Sequence, residues 1–580
     1  MDKPFTTPIE ALQKWAQERP DQLAFLYLEQ GEEETERLTF AELERSSRRI
    51  GAALQSISRP GERALLVYPP GLDFVKAMYG CLFAGIVPIP TNPPGMNRSL
   101  RRLAAIAKDA QASIILAPTL FRLIFEQRDE NINDLTPVQW IDITTLEENS
   151  SITYKTPDLG PDVLAFIQYT SGSTDIPKGV MISYRNLSYN HDALMQLREL
   201  HKIDDPLILN WAPLFHDMGL IVGVFQGVFD GNASIMMSPV AFIQQPVRWL
   251  KAISKYRATN SGGPNFAYDI CINKIKPEDC ENLDLSNWHG AYNSSEPVRE
   301  QTLRLFTEKF KPYGFTPEAF YPCYGLAEAT LLVSGYGYSK KIITYRVDRN
   351  ALEQGKILAS DSTESKKYSD LVSCGRPLIN IQVAIVNPTT KERCLPDEIG
   401  EIWLSGGNIS EGYWNKPQET EVAFRATIKN TGEGPFLRTG DLGFMNDGYL
   451  YVTGRCKDMI LIRGRNYYPQ DIEVTVQKVH PVLQPGGGIA FSIQSEGMEH
   501  LVVIQEVREK YRDNQSWEEI IKKIRFDIAR DHGIRASSIL LIERSSIPKT
   551  SSGKLMRSEC KRLFLDNQFD IIAEWRAPIL

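Results

Sequence analysis

The chain reads as an α/β protein with two parts. The large N-terminal part holds several helix-covered β-sheets and then a small β-rich subdomain; a compact α+β domain follows it. Three observations predict this. The 580 residues are too many for one small core, so two or more domains are expected. Short apolar runs alternate with helical patterns and tight turns through the first half, which implies a parallel or mixed sheet covered by helices. The strand and helix pattern then restarts from Met459 onward, which marks the second, smaller domain.

Taken in order, Thr39-Phe-Ala-Glu42 has the form of a capping box, with Leu43, Ile50 and Leu54 on one helical face behind it. Residues 63–68 are a β-rich run ended by Pro69-Pro70-Gly71, residues 73–83 read as a buried helix, and residues 86–90 read as a strand. A basic helix around Arg101 and Arg102 precedes a strand at 112–116. The run Val163-Leu-Ala-Phe-Ile-Gln168 reads as a buried strand, and residues 207–213 give another. Ser261-Gly-Gly-Pro-Asn-Phe-Ala267 reads as a glycine-rich turn entering a helix. Within residues 345–370 the centre, 351–358, suits a short helix or strand, and the polar tail reads as a loop. Alternation in Ile381-Gln-Val-Ala-Ile-Val386 and Glu398-Ile-Gly-Glu-Ile-Trp-Leu404 predicts the β-rich subdomain. In the C-terminal part, residues 459–462, 488–493 and 501–507 read as strands and residues 517–531 as a helix. There is no internal repeat and no low-complexity tract.

Hydrophobic content of 42% and charged content of 24% are those of an ordinary globular protein. The net charge of −7 argues against a general nucleic-acid binder. The eight cysteines form no C-x-x-C pair, and the seven histidines show no ligand spacing, so neither a disulfide framework nor a zinc site is expected. The N-terminus has no basic segment followed by an apolar core, and the most apolar stretch, 78–90, is too short to span a bilayer. These features predict a cytoplasmic enzyme that is not an integral membrane protein.

The stretch richest in chemistry is Tyr169-Thr-Ser-Gly-Ser-Thr-Asp-Ile-Pro-Lys-Gly-Val-Met181. Small residues let backbone N–H groups approach a ligand, hydroxyls donate hydrogen bonds, and Lys178 adds a charge, all of which suits phosphate oxygens. By composition alone it is equally a solvated turn. It is not a Walker loop, because Lys178 is followed by Gly179 and Val180 rather than by Ser or Thr. Further along stand Trp211-Ala-Pro-Leu-Phe-His-Asp-Met-Gly-Leu220, Ala291-Tyr-Asn-Ser-Ser-Glu-Pro297, Tyr321-Pro-Cys-Tyr-Gly-Leu-Ala-Glu-Ala-Thr330, Phe436-Leu-Arg-Thr-Gly-Asp-Leu-Gly443, Thr453-Gly-Arg-Cys-Lys-Asp458 and Pro548-Lys-Thr-Ser-Ser-Gly-Lys-Leu-Met-Arg557. Singly, each has a plain structural reading: His216 as a satisfied histidine at a helix start, Glu328 as a solvated helix acid, the last string as a flexible basic loop.

Together and in this order, these motifs resemble those of the adenylate-forming (acyl-activating) superfamily, over nearly the whole chain. The resemblance implies an N-terminal adenylation domain at 1–456, a small mobile C-terminal domain at 457–580, and a hinge at Lys457. It implies that Thr170, Ser171, Gly172, Ser173, Thr174 and Lys178 hold the pyrophosphate half of ATP. Asn293, Ser294, Ser295, Glu296 and Pro297 would form the adenine loop, and Tyr324, with Gly325, Leu326 and Ala327 behind it, would give the base a stacking platform. Asp441 would accept the ribose hydroxyls, with Arg455 in support. Glu328 would offer oxygen to Mg²⁺. His216 would stand at the mouth of the acyl pocket, lined by Phe215, Met218 and Phe266, and Lys554 would be the catalytic lysine.

Within the superfamily the chain is similar to the fatty acyl-AMP ligases. Asp175-Ile176 replaces the usual Gly-x, residues 345–370 stand where those enzymes carry an extra segment, and Arg463-Gly-Arg-Asn-Tyr-Tyr-Pro-Gln-Asp-Ile-Glu473 also matches. That resemblance implies activation of a medium- or long-chain fatty acid with ATP and Mg²⁺. The acyl group would then pass to an acyl carrier protein or to the carrier domain of a polyketide or nonribosomal synthase. A long-chain acyl-CoA synthetase, a catalytically dead scaffold and an amino-acid adenylation domain remain as other readings. Asp269 is the one acid near the pocket that could hold a substrate amine.

Overall fold

The computed structural model describes residues 5–93, 100–128, 138–147, 153–170, 177–199, 206–336, 341–364, 367–463, 465–495, 498–509, 515–550 and 554–577. Thr7 and Thr39 each close a capping box, with Glu10 and Glu42, at the starts of the helices Pro8–Glu18 and Phe40–Ile57. The expected buried helix is Leu72–Ala84, which ends where Gly85 adopts φ 73°.

Among the described residues the largest sheet has nine strands. Their order is Arg376–Pro377, Leu332–Gly335, Phe320–Gly325, Gly290–Asn293, Asn260–Gly263, Ile208–Asn210, Ser234–Met237, Leu23–Leu28 and Glu36–Thr39. The run from Phe320–Gly325 to Leu23–Leu28 is parallel throughout, and antiparallel strands close both edges. Both faces are buried. Phe25 and Tyr27 pack into one core with the Leu72–Ala84 helix, while Leu26 and Leu28 pack into another with Trp249, Trp288 and Phe306. That period of two is the strand's own, and burial on both sides is why such strands read as unbroken apolar runs.

A second, parallel sheet holds Val87–Pro90, Arg63–Leu66, Ile114–Leu116 and Gln139–Ile141. The β-rich subdomain is an antiparallel sheet of Ile381–Val386, Gly400–Gly406, Leu437–Asn446 and Tyr449–Arg455. Beyond it, Leu483–Ser495, Met498–Val507, Ala536–Ile542 and Ile571–Arg576 form a mixed sheet whose apolar face packs against the helices Pro469–Gln477 and Trp517–His532. No helix among the described residues is long and apolar enough to cross a membrane.

Two expectations are corrected. Ser261-Gly262-Gly263 is not a turn but part of the strand Asn260–Gly263. Its glycines are there for close approach: a Cβ on Gly262 would lie 2.2 Å from the Tyr292 carbonyl oxygen, and one on Gly263 would lie 2.6 Å from the Trp211 ring. The polar tail of 345–370 is not all loop. Tyr368–Val372 pairs antiparallel with Thr344–Asp348, around the short helix Arg349–Glu353. Val347, Leu352 and Ile357 of this hairpin pack on Phe444, Tyr451 and Tyr468, so apolar residues hold it where its polar composition suggested a free loop.

Candidate active site

The strands ending at Gly325, Asn293, Gly263 and Asn210 are neighbours and run parallel. The segments that follow them therefore leave the sheet at one edge, the place where open α/β sheets bind ligands. Four separate motifs become one wall for this reason. Phe215, His216 and Met218 come from the first segment in sequence, and Phe266 comes from the second. Ser294, Ser295, Glu296 and Pro297 come from the third, and Leu326, Ala327 and Glu328 from the fourth. Gly325, Tyr324, Thr170, Lys178, Asp441, Arg455, Lys457 and Lys554 line the same cleft. Its volume, 3280 Å³, is several times the ~300–1,000 Å³ of a pocket for one small ligand, so it has room for a nucleotide and an elongated second substrate.

Thr170 and Lys178 face each other across the antiparallel pair Leu164–Thr170 and Lys178–Ser183. Ser171, Gly172, Ser173 and Thr174, with Asp175 and Ile176, lie outside the described residues. Two ties hold the described residues on either side of them. The Tyr169 hydroxyl donates to Asp109 Oδ2 at 2.6 Å, and the Lys178 ammonium lies 4.8 Å from the centre of the Tyr413 ring. Glu328 is held from the same side, because the Tyr413 hydroxyl donates to its Oε1 at 2.8 Å.

Asp441 is fixed by both oxygens. The Tyr324 hydroxyl donates to Oδ2 at 2.7 Å, and Arg455 Nε lies 2.9 Å from Oδ1. Burial and the Asp441 charge raise the Tyr324 phenol well above its ordinary value, so it stays a donor. Each Asp441 oxygen keeps a further lone pair for an incoming hydroxyl. Asn293, by contrast, is fully buried behind the wall. Its amide nitrogen donates to Asn265 Oδ1 at 3.1 Å, and its own Oδ1 has no hydrogen-bond partner among the described residues. Ser295 and Thr330, neither of them glycine, hold φ of 76° and 64° beside this wall. Backbone strain of that kind clusters at ligand clamps.

His216 Nδ1 lies 2.5 Å from Asp217 Oδ1, which also accepts the Met218 N–H at 2.7 Å. Burial alone would raise the Asp217 carboxyl, but His216, Lys554 and the Met218 N–H hold it at about 2. Lys554 reaches this spot from the C-terminal part. Its backbone N–H donates to Thr550 Oγ1 at 3.1 Å, and its carbonyl accepts from the Thr550 N–H at 2.7 Å. Burial lowers its ammonium below the ordinary lysine value; Asp217, Asp441 and Glu296 oppose that shift, and Arg455 adds to it. Burial, then Arg455, also lowers Lys457. Phe266 stands edge-on to Trp211, with ring centres 6.1 Å apart, and its N–H donates to Glu296 Oε1 at 3.2 Å. Asp269 is taken up by Arg299 at 2.6 Å and by the Thr302 hydroxyl at 2.9 Å, which leaves it a poor anchor for a substrate amine.

The sequence reading passed over Asp109, Asp217 and Tyr413. Asp217 stood inside a quoted motif but drew no attention beside His216. Tyr413 sits 85 residues from Glu328, and only the run Gly412-Tyr-Trp-Asn415, two aromatics in a glycine turn, could have flagged it.

Comparison with known proteins agrees with this architecture. The AMP-binding enzyme model matches residues 12–414, and a Disco-interacting protein 2-like AMP domain model matches residues 457–574. A medium-chain-fatty-acid–[acyl-carrier-protein] ligase of Moorena producens is 43% identical over 100% of this chain and 98% of its own length. A long-chain-fatty-acid–AMP ligase of Mycolicibacterium smegmatis is 34% identical over 96% of this chain and 94% of its own. The crystal structure of a fatty acyl-adenylate ligase from Legionella pneumophila, in complex with acyl adenylate and pyrophosphate, superposes with a TM-score of 0.76 at 37% identity, covering 98% of each chain. The chain belongs to the AMP-binding enzyme family, as one of its ATP-dependent acyl-adenylate-forming ligases, and groups there with the fatty acyl-AMP ligases.

Proposed function

We propose that this chain activates a medium- or long-chain fatty acid with ATP, giving acyl adenylate and pyrophosphate, and then passes the acyl group to the phosphopantetheine thiol of an acyl carrier protein. The observation that carries the reading is that one cleft is lined by Lys178, Glu328 and Asp441, by the apolar side chains Phe215, Met218 and Phe266, and by Lys554. The names of the relatives support the substrate class and the acceptor.

A free carboxylate is a poor acyl donor, because its leaving group would be oxide. In the first step a carboxylate oxygen bonds to the α-phosphorus and the bond to the pyrophosphate oxygen breaks. In the second the thiolate bonds to the acyl carbon and AMP departs with the electron pair. Both partners of the first step are anions, so preformed positive charge must stand where they meet. Lys554 supplies it at the junction, facing the Asp217 carboxylate. Thr170 and Lys178 flank the departing pyrophosphate, and Asp441, Tyr324 and Arg455 fix the nucleoside. Holding both substrates in line removes much of the entropic cost of their meeting.

The residues also fit Mg²⁺. Among the described residues there is no cage of three or more His, Cys, Asp and Glu. Mg²⁺ needs only one or two carboxylates when phosphates and water complete its shell, and Glu328 offers one beside Lys178. The cation would neutralise charge developing on the phosphates. In this reading residues 1–456 bind and residues 457–580 bring Lys554, turning at Lys457. The eight free cysteines suit the reducing cytoplasm.

The test is a product assay over a series of fatty acids, with coenzyme A and holo-carrier protein offered in parallel. The expected products are acyl adenylate without acceptor and thioester on the carrier. Robust acyl-CoA turnover, or no fatty-acid-dependent ATP–pyrophosphate exchange, would overturn the reading. The 345–370 hairpin reaches the C-terminal part, where Arg465 lies 3.3 Å from Glu353. Its deletion should free that part and permit some coenzyme A use, and no gain of acyl-CoA would count against this role.

A further inference from the structure

One segment, residues 408–414, is bonded to both phosphate-facing elements of the cleft. On one side the Ser410 N–H donates to the Glu328 carbonyl at 2.9 Å, and Asn408 Nδ2 donates to the carbonyls of Ala329 at 3.1 Å and Leu332 at 2.8 Å. On the other side the Trp414 N–H donates to the Gly179 carbonyl at 2.7 Å, and the Met181 N–H donates to the Gly412 carbonyl at 2.9 Å. The segment is thus a strap between the turn that carries Glu328 and the strand that begins at Lys178.

One side chain of the strap touches both charged groups. The Tyr413 hydroxyl is 2.8 Å from Glu328 Oε1, and its ring face lies under the Lys178 ammonium at 4.8 Å from the centroid. We infer that Tyr413 is a positioning residue that sets the Glu328 carboxylate and the Lys178 ammonium in one register, the first through its hydroxyl and the second through its ring. The two contacts need different chemistry, a donor in the ring plane and electron density on its face, and the tyrosine side chain offers both. The hydroxyl occupies one Glu328 oxygen and aims the carboxylate. The ring steadies a lysine that would otherwise sample many rotamers. Burial and then Glu328 raise the phenol above its ordinary value, so it remains a donor wherever Glu328 is ionised. The ring also packs edge-on against Phe424, at 5.1 Å between centres. A plain core role is therefore the competing account, and the variants below separate the two.

This inference rests on the proposed roles of Glu328 at the magnesium ion and Lys178 at pyrophosphate. Tyr413→Phe keeps the ring and its packing but removes the donor; Tyr413→Leu removes both. Two readouts are needed: the Mg²⁺ concentration for half-maximal ATP–pyrophosphate exchange, and calorimetric binding of pyrophosphate with Mg²⁺ chelated. Tyr413→Phe should raise the Mg²⁺ requirement at least about tenfold, the worth of one hydrogen bond to a carboxylate, with kcat at saturating Mg²⁺ and metal-free pyrophosphate affinity unchanged. Tyr413→Leu should in addition weaken metal-free pyrophosphate binding about threefold. A Tyr413→Phe enzyme with wild-type Mg²⁺ dependence, or a Tyr413→Leu enzyme that binds pyrophosphate as Tyr413→Phe does, would overturn the inference. Wild-type protein without exchange would instead overturn the proposed function, and the binding measurements would still decide the role of the Tyr413 ring.

Discussion

The two sides of the cleft, the sheet-edge wall and the C-terminal part, are built in different ways. The nucleotide wall is set by sheet topology: four loops leave neighbouring parallel strands at one edge, and Asp441 is pinned from two sides by Tyr324 and Arg455. The C-terminal part that carries Lys554 has no such frame. Lys554 is tied to the C-terminal part by its backbone bonds to Thr550, and what faces it from the wall is charge, chiefly Asp217. A preformed frame suits binding, which must be ready before the substrate arrives. In the proposed reading, a charge brought in by a separately built part suits the chemical step, because it could be withdrawn afterwards. The proposed roles therefore give affinity to the wall and rate to the C-terminal part.

Lys554→Ala should give the largest effect, a loss of about 10²–10³-fold or more in fatty-acid-dependent ATP–pyrophosphate exchange with the fold intact by circular dichroism. Exchange within a few-fold of wild type would break the division of labour. Asp441→Ala should act on the wall. Removing a carboxylate that accepts several hydrogen bonds, and leaving Tyr324 and Arg455 unpaired, should raise the KM for ATP about 10–100-fold while kcat falls less. Tyr324→Phe should raise the ATP KM only a few-fold, because one neutral donor to Asp441 is lost and the ring remains. An effect on kcat alone from either variant would place them on the wrong side of the comparison.

The smallest expected effect concerns acid stability of the C-terminal part. His532, beside Thr475 Oγ1 at 2.8 Å, is buried and held neutral; burial, then Arg349, takes its pKa from 6.5 to about 4. The unfolded chain then binds more protons than the folded one between those values. Stability should fall as pH drops from 6.5 toward 4, by about 1.4 kcal/mol per unit at most from this group. His532→Gln should flatten that slope, read as the difference in Tm between pH 7 and pH 5. An unchanged slope would mean that His532 does not carry it.

Where the fold was legible in the sequence, the signal was local. Capping at Thr39, the buried run around residues 164–170 and the alternation of Ile381–Val386 all state their own structure. Ser261-Gly262-Gly263 misled because its glycines answer to Tyr292 and Trp211, which only the fold brings near. The hairpin tail at Tyr368–Val372 misled because polar residues there pair with Thr344–Asp348 across the intervening helix. The site shows the same division. Asp441 and Glu328 could be named from motifs, but the partners that hold them, Tyr324 for one and Tyr413 for the other, are separated from them by 117 and 85 residues. No periodicity reports a contact of that kind.

The division between the wall and the C-terminal part is tested most directly by calorimetric titration of MgATP into wild type, Lys554→Ala and Asp441→Ala, side by side. The account predicts that Lys554→Ala binds within a few-fold of wild type while Asp441→Ala binds at least about tenfold more weakly. Loss of nucleotide binding in Lys554→Ala as deep as in Asp441→Ala would contradict it.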